Sequence, residues 1–243
     1  MAASNAKATF GTALIRSTYM VAELTEIGGI STETAMIAAT IHDSPDGYTA
    51  YKPGLLKGGT ITIAGYLYAS DTNGQIGLHT DLEAGKKQSF IIAAPNAMAL
   101  AWSFSAYVKS LSIGSPKDGL VSFGATLQIA GKPTWISTAS TGATTPFISV
   151  ADNSANAIAL TPTVANDVYY YSGTAITTAT SITVTPTATA GVIHVNCTVV
   201  STGEASGAIS LGDAGTTTFV TVRVTETSKT PVIYRLYILR AEP

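Results

Sequence analysis

The segment VSFGATLQI, residues Val121–Ile129, alternates apolar and polar side chains along its whole length. A period of two is typical of a β-strand with one face buried and the other face open to a polar environment. The same pattern occurs at Thr60–Leu67 and in a long segment that begins near Met98. Helical periodicity is nearly absent, so the sequence predicts an all-β protein.

One helix is predicted in this first half, from Asp71 to Gly85. The Asp71 carboxylate can accept hydrogen bonds from the free N–H groups of the first turn, and glycine is typical of the position just after a helix. Ile76 and Leu82 are expected to face a sheet. The helix would therefore cover one face of that sheet.

The composition changes between Trp135 and Pro146, where Ser, Thr, Gly and Ala predominate. Such a stretch buries too little apolar surface to be held in place, so a linker is predicted at residues 138–146, between domains 1–137 and 147–243. Alternating segments then return, at Ile182–Val184, Ile193–Val199, Val220–Val224 and Val232–Ile238. Short strands separated by turn residues predict a β-sandwich for the second domain.

Charged residues make up 12% of the 243-residue chain, about half of the roughly 25% found in soluble domains. A surface with so little charge favours self-association over a monomeric state. The net charge is −2 and no segment concentrates Lys and Arg, which argues against a sequence-reading nucleic-acid binder. The N-terminus shows no secretion signal and no run is long enough to span a membrane, so no membrane contact is expected.

The chain offers little for catalysis. Cys197 is its one cysteine, and alternation from Val195 to Val199 places Cys197 on the apolar face with these two residues, with His194 on the opposite face. A buried, unreactive thiol is therefore expected.

His42, together with Asp43 and Asp46, could bind a metal or act as an acid–base pair. A metal site needs three or four converging ligands, and no other cluster in the sequence could complete the set, so a turn is the better interpretation. The sequence predicts no catalytic residue, no cofactor and no metal site.

Two motifs closely resemble the long loop of phage tail tube proteins: HDSPDGY at His42–Tyr48 and PGLLKGG at Pro53–Gly59. The order of flanking segments from Met20 to Thr134 also fits this family. The chain is thus similar to a major tail tube protein of the long, non-contractile siphophage type, with a C-terminal immunoglobulin-like or cadherin-like domain.

The resemblance implies an N-terminal tail-tube fold, in which two packed antiparallel sheets carry one flanking helix, and a C-terminal immunoglobulin-like β-sandwich. Six subunits would close a ring, and rings would stack into a hollow tube through which DNA passes without specific binding. The implied partners are other copies of the chain, the tape measure, the tail terminator and the tail tip. The implied location is the virion, after synthesis and assembly in the host cytoplasm.

A loop of about twenty residues is long for a compact domain, and such loops are usually functional. We therefore expect residues 40–59 to contact the adjacent ring through His42, Asp43, Ser44, Pro45, Asp46, Gly47, Tyr48, Tyr51, Pro53, Leu55, Leu56 and Lys57. The polar face of the inner strands supplies candidates for the lumen: Thr60, Thr62, Thr126 and Gln128. Residues 1–146 carry nine acidic and nine basic side chains, which gives no sign of a basic lining.

Two other readings remain open. A tube protein of a contractile or secretion system would share the ring architecture. A surface adhesin or carbohydrate-binding protein would fit a Thr-rich sandwich that displays Tyr169, Tyr170 and Tyr171, and a weak contact of the outer domain with a cell surface or carbohydrate is left open. An enzyme is the weakest alternative, because no acid–base, nucleophile or metal constellation is evident.

Overall fold

The computed structural model describes residues 11–39, 48–163 and 169–243. These residues form two compact units. The sheet unit comprises Ala13–Ile92 and Trp102–Trp135, and the sandwich unit comprises Ile136–Pro243 with Ala93–Ala101, Gly11 and Thr12. Most of the regular structure is β, which confirms the predicted class. No helix within the described residues is long and apolar enough to cross a membrane.

The sheet unit is built around one large sheet with the order β2-β1-β7-β8-β9-β6-β3, in which β10 also pairs with β8. Among the residues that the structure describes, strands β4 and β5 pair only with each other. The strands are β1 (Ala13–Arg16), β2 (Tyr19–Met20), β3 (Leu24–Ile27), β4 (Thr32–Ala38), β5 (Tyr51–Gly58), β6 (Thr60–Tyr66), β7 (Gln88–Ala93), β8 (Ala101–Gly114), β9 (Ser122–Ile129) and β10 (Thr134–Ile136).

The predicted alternation is confirmed in β6 and β9. Ile61, Ile63 and Leu127 are buried in the core of the sheet unit, together with Phe90 and Phe104. Burial of apolar side chains on one face supplies most of the stabilisation of such a sheet. The opposite face of the same strands is therefore left with small and polar side chains.

The helix of the sheet unit, α1, spans Gln75–Glu83. The Asp71 carboxylate accepts the N–H groups of Gly74 and Gln75, each over 2.9 Å, as predicted, although the helix begins at Gln75 and not at Asp71. Leu82 packs against the core, also as predicted. Ile76 also faces the sheet, in an open pocket with Leu111 and Phe123, but it is 41% exposed, and Leu78 is the residue fully buried at this point.

The sandwich unit contains two sheets, with the orders β12-β11-β15-β18 and β13-β14-β20-β19-β16-β17. A 3₁₀ turn, Asn96–Met98, also belongs to this unit. Its strands are β11 (Ala143–Asp152), β12 (Ala157–Ile158), β13 (Thr161–Pro162), β14 (Tyr170–Ala175), β15 (Ser181–Ala188), β16 (Val192–Val195), β17 (Thr198–Val200), β18 (Ile209–Ser210), β19 (Thr217–Thr225) and β20 (Val232–Arg240).

The two sheets of the sandwich unit share one hydrophobic core. Val150 and Val184 enter it from the first sheet, and Val222 and Leu236 enter it from the second. Two sheets that bury their inner faces against each other form a β-sandwich. The pairs are antiparallel except that β14 runs parallel to β20.

Part of the predicted linker, residues 138–146, belongs to regular structure. The Thr230 N–H donates to the Thr138 carbonyl over 2.8 Å, and the Ser140 N–H donates to the Thr230 carbonyl over 3.1 Å. Strand β11 then begins at Ala143. Backbone hydrogen bonds hold this small-residue stretch in place without large side chains.

The prediction for Cys197 was wrong. Strands β16 and β17 pair as a tight hairpin in which Val195 lies opposite Thr198, so Asn196 and Cys197 form its two-residue turn. Both have positive φ, 44° and 71°, as the favoured two-residue hairpin turn requires. The turn interrupts the alternation, so Cys197 is only partly buried, whereas His194 is buried.

Candidate assembly surfaces

The predicted loop at residues 40–59 contains the return strand of a long β-ribbon, so its description as a loop was wrong for β5. The pairing of β3 with β6 and the pairing of β4 with β5 have the same register. Ile27 lies opposite Ile63, and five residues further along β3 and β4 Thr32 lies opposite Gly58, which is five residues before Ile63. Between the two ladders, the Gly28 N–H donates to the Thr62 carbonyl over 2.7 Å, and the Gly59 N–H donates to the Ser31 carbonyl over 2.9 Å.

The outer part of this ribbon extends beyond the sheet. The Ile129 N–H donates to the Gly59 carbonyl over 3.1 Å, and the Gln128 amide donates to the carbonyls of Gly58 and Gly59. Strand β9 ends at Ile129, so within the described part of the chain no third strand pairs with β4 or β5 from Thr32 onward. We call residues 32–39 and 48–58 the arm. At about 3.3 Å per residue, it extends for about 25 Å.

The arm exposes large apolar side chains on both faces. Leu55 is 84% exposed and Leu56 is 71% exposed, and their side chains alternate between the two faces. The remaining large apolar residues of the described arm are exposed as well: Met36, Ile37, Tyr48 and Tyr51. An isolated two-stranded ribbon is at best marginally stable in water, and contiguous exposed apolar surface marks an interaction site. The arm therefore has the composition of a surface that is covered in an assembly.

The predicted contact residues divide between described and undescribed parts of the chain. Pro53 and Lys57 lie exposed in β5 with Tyr51, Leu55 and Leu56, and Lys57 lies opposite Glu33 of β4. His42, Asp43, Ser44, Pro45, Asp46 and Gly47 lie outside the described residues. Met36 and Ile37 were not among the predicted contact residues, and the pairing of β4 with β5 brings them into the same surface. Their signal was the strand-like segment Thr32–Ala38 just before the glycine- and proline-rich motif.

The four candidate lumen residues lie together on the polar face of the sheet. Thr60 lies directly opposite Gln128, and Thr62 lies directly opposite Thr126. Two neighbouring positions are glycines, where a larger residue would be crowded. An added Cβ at Gly28 would approach Thr62, and one at Gly124 would approach Ser112. This face is thus a shallow surface of hydroxyl, amide and glycine groups.

Strand β2 ends the large sheet on one side, and among the described residues two longer edges also lack a partner strand, namely β3 and the second half of β8. Strand β3 ends the sheet order and pairs only with β6. Strand β7 joins β8 as a hairpin that closes with Ala94 donating to Leu100, so its six residues reach only the middle of the longer β8. The second half of β8, from about Tyr107, therefore has β9 on one side and an open edge on the other.

The two open edges carry opposite charges. Lys109 lies exposed at a bulge in β8, next to the pair formed by Val108 and Leu127. Glu23 and Glu26 are exposed at the β3 edge, and Glu26 is paired with Ala64. Inward or edge charges normally protect a strand from pairing with another chain. Here the charge on one edge is complementary to the charge on the other.

The tyrosines of the sandwich unit do not form an open aromatic platform. Tyr171 is 6% exposed and belongs to the core. The rings of Tyr169 and Tyr234 lie 5.8 Å apart, and the Arg235 guanidinium lies 5.3 Å from the centre of the Tyr170 ring. Aromatic rings engaged in this way pack within the protein. Tyr171 in particular presents no face to a sugar.

The sandwich unit contains a buried histidine, His194, whose pKa is lowered. Burial, followed by the positive charge of Arg223 on the neighbouring strand, lowers the pKa of His194 to about 4. The imidazole is therefore neutral at neutral pH. Within residues 11–39, 48–163 and 169–243, no group of three or more His, Cys, Asp or Glu side chains could hold a metal ion.

No protein-family model and no curated protein matches the chain. Solved structures are similar to part of it. A chain from the virion of a native gene transfer agent particle is 15% identical, with 54% of this chain and 98% of that chain covered and a TM-score of 0.45.

Two further solved structures show similarity over a comparable share. A chain of the SPP1 tail tube is 14% identical, with 51% of this chain and 75% of that chain covered and a TM-score of 0.40. A chain of the sheath/tube terminator of the extracellular contractile injection system PVC is 15% identical, with 55% and 99% covered and a TM-score of 0.43. In each case the similarity extends over about half of this chain.

Proposed function

We propose that the chain is the tail tube subunit of a long-tailed bacteriophage and that six copies close a ring whose stacked copies form a hollow conduit for DNA. The observation that carries the proposal is the pair of open strand edges in the sheet unit. The proposal rests on these open edges, on the exposed arm and on the sequence motifs. The number of six copies comes from the resemblance to tail tube proteins.

The strand directions permit a closed cylinder. Strands β8, β9, β6 and β3 are consecutive neighbours, and each runs antiparallel to the next. The β3 edge of one copy, placed beside the β8 edge of the next, therefore continues the antiparallel order. Such pairing satisfies the free N–H and C=O groups of both edges and brings Lys109 toward the glutamates of the neighbouring copy. Closure pairs the β3 edge and the β8 edge of every copy in the ring.

The polar face suits the inside of such a cylinder. Its hydroxyl and amide groups at Thr60, Thr62, Thr126 and Gln128 are compatible with water and offer no positive charge to phosphates. Protein–DNA affinity rises with each phosphate that is neutralised, so a conduit needs a lining without a cluster of Lys and Arg. The apolar face remains inside each subunit, where α1 and the core cover it.

The arm supplies contacts between rings. It extends along the strand direction from the Thr60 end of the sheet and carries the apolar residues that a lone subunit leaves in water. The undescribed residues His42–Gly47 are proposed to belong to the same contact. Burying a leucine side chain removes it from water with a gain of about 1.5–3 kcal/mol, so Leu55 and Leu56 together can contribute substantially to stacking.

The sandwich unit is proposed to be an immunoglobulin-like domain on the outside of the tube. The partners would be further copies of the chain, the tape measure, the tail terminator and the tail tip. The protein would be made and assembled in the host cytoplasm and would remain in the virion without a catalytic role or cofactor. A tube of a contractile or secretion system would share the open edges, and an adjacent gene for a contractile sheath would favour it.

Negative-stain microscopy of the concentrated protein tests the proposal. We expect annular oligomers and stacked tubes from the intact chain. A variant in which Glu33–Lys57 is replaced by Asn-Gly removes Leu55 and Leu56, keeps Thr32 opposite Gly58 and closes the ribbon with a favoured two-residue turn. This variant should form rings that do not stack. Single globular particles from the intact chain at every concentration would contradict the proposed function, and full-length tubes from the shortened variant would contradict the role of the arm.

A further inference from the structure

The opposite end of the sheet carries an apolar pocket that the core of the sheet unit leaves open. Its volume is about 110 Å³. It lies where β8 ends and β9 begins, beside α1, and its lining residues are Leu67, Gln75, Ile76, His79, Leu111, Ile113 and Phe123. Ile113 is 58% exposed and lies directly opposite Phe123, so the pocket continues the core face outward to solvent.

Two polar side chains, Gln75 and His79, line the pocket; His79 lies 3.5 Å from the Glu83 carboxylate, and Gln75 is already satisfied. The Gln75 amide nitrogen donates to the carbonyls of Ala22 and Tyr66 over 2.9 and 2.8 Å, and its oxygen accepts the Tyr68 N–H over 2.9 Å. These bonds leave Gln75 little capacity to recognise a polar ligand. The pocket therefore suits an apolar side chain.

The arm and the pocket lie at opposite ends of the same strands. The arm leaves the sheet at Gly59, next to Ile129, and the pocket lies near Phe123, at the other end of β9. The arm of one copy therefore points away from its own pocket. In a stack of copies repeated along the strand direction, it points toward the pocket of the next copy.

We infer that the pocket receives Leu55 from the arm of a second copy, and this inference rests on the proposed stacking of rings. Leu55 continues the alternation of Ile61 and Ile63 up to the bulge of β5 that follows it, so the arm extends the core face of the sheet as far as Leu55. A cavity of about 150 Å³ lined by aliphatic and aromatic groups holds a six-carbon ring. The present pocket accordingly has room for the four-carbon side chain of leucine.

The charges near the two surfaces are also complementary. The described arm residues contain two lysines, Lys52 and Lys57, and one glutamate, Glu33, which lies opposite Lys57. The exposed side of α1 beside the pocket carries Glu83. Lys52 is thus the arm charge that remains to face an acidic group on the second copy. Such a pair favours one orientation of the docked arm.

Disulfide trapping between copies tests this inference. In a Cys197→Ser background, copies with Leu55→Cys are mixed with copies that carry Ile113→Cys, assembled and oxidised. Because a disulfide requires Cα atoms within about 7 Å, we expect about tenfold more mixed dimer than from a control pair in which Val199→Cys replaces Ile113→Cys. Val199 is 64% exposed and lies in the sandwich unit, so it matches Ile113 in exposure.

The outcomes separate this inference from the proposed function. Tubes without mixed dimer above the control would overturn the pocket as the receiving surface and leave the tube function standing. Failure of the Cys197→Ser background to assemble, together with failure of the intact chain, would overturn both. A second pair of variants guards against local disruption: Leu55→Lys should stop stacking, and adding Ile113→Glu should restore it. Absence of restoration together with absence of the disulfide would exclude the contact.

Discussion

Arg16 and Asp81 form an ion pair between β1 and α1, in which the Arg16 Nε donates to the Asp81 carboxylate over 2.6 Å. Both side chains are buried, and the second guanidinium donor is satisfied by the Asn73 carbonyl over 2.7 Å. This pair fixes the helix, and with it one wall of the apolar pocket, against the sheet. Removal of one charge would leave the other buried without its partner.

Replacing Asp81 by Ala should therefore destabilise the sheet unit by about 3–5 kcal/mol, the usual cost of breaking a buried pair. The two tryptophans of the chain, Trp102 and Trp135, lie in the sheet unit, so urea unfolding followed by tryptophan fluorescence reports on it. Glu83→Ala, at an exposed partner of His79, is the control and should change the free energy of unfolding by less than about 0.5 kcal/mol. Equal effects of the two substitutions would show that Asp81 is not a structural anchor.

Reversing the charge at Lys109 should prevent ring closure. Lys109→Glu places an acidic side chain toward Glu23 and Glu26 of the neighbouring copy, and like charges across strands are destabilising. Analytical ultracentrifugation should show loss of the annular species, and adding Glu23→Lys and Glu26→Lys should recover it. The control is Lys132→Glu, an exposed lysine outside both edges, which should assemble normally. Assembly of the Lys109→Glu variant like the intact chain would argue against pairing of these edges.

A positive charge at Thr62 should change the behaviour of the tube toward DNA. Thr62→Lys repeats around the proposed lumen, so tubes of this variant should retain DNA at low salt and release it as salt is raised, whereas tubes of the intact chain should retain little. Filter retention of labelled DNA at increasing salt measures the difference. Thr174→Lys, an exposed threonine of the sandwich unit, is the matched control. Equal retention by both variants would show that Thr62 does not line the conduit.

The sandwich unit should lose stability in acid through His194. Its folded-state pKa of about 4 is below the unfolded value near 6.5, so the unfolded chain binds the proton first. Stability is complete above about pH 6.5 and falls by about 3 kcal/mol as the pH drops to 4. Tryptophan fluorescence reports on the sheet unit alone, so unfolding of the sandwich unit in urea is followed by circular dichroism. Its transition should show this loss of stability. His194→Gln should remove most of the pH dependence between about pH 5 and 6.5, where Asp152 and Glu226, whose pKa values are lowered by hydrogen bonds, stay ionised. An unchanged profile over this range in that variant would exclude His194 as its source.

The sequence predicted the parts of the fold in which one face is buried. Ile61, Ile63 and Leu127 alternate with polar residues because a core selects apolar side chains at every second position, and their strands were found. The arm was missed as a ribbon because both of its faces are exposed, so burial imposes no alternation on it. Pro53 and Gly54 also read as loop residues, although proline is tolerated in edge strands and at bulges, and a bulge separates Thr34 from Met36.

The candidate surfaces were only partly predictable for a related reason. Thr60, Thr62, Thr126 and Gln128 could be grouped from alternation alone, because strand geometry fixes which residues share a face. The open edges depend on which strands are neighbours, and periodicity carries no information about partners. At Cys197, a turn without glycine shifted the phase of the pattern, so the buried side chain was assigned to the wrong residue.

The register of strand pairing is the same in the arm and in the adjoining sheet. This limits how the length of the arm can change among related subunits. Adding one residue to a single strand of the arm would send Leu55 to the opposite side, since side chains alternate at every step. Only matched additions of two residues on each strand would preserve the side of Leu55, and each would lengthen the arm by about 7 Å. The axial distance between successive layers of copies could therefore change in discrete increments and not continuously.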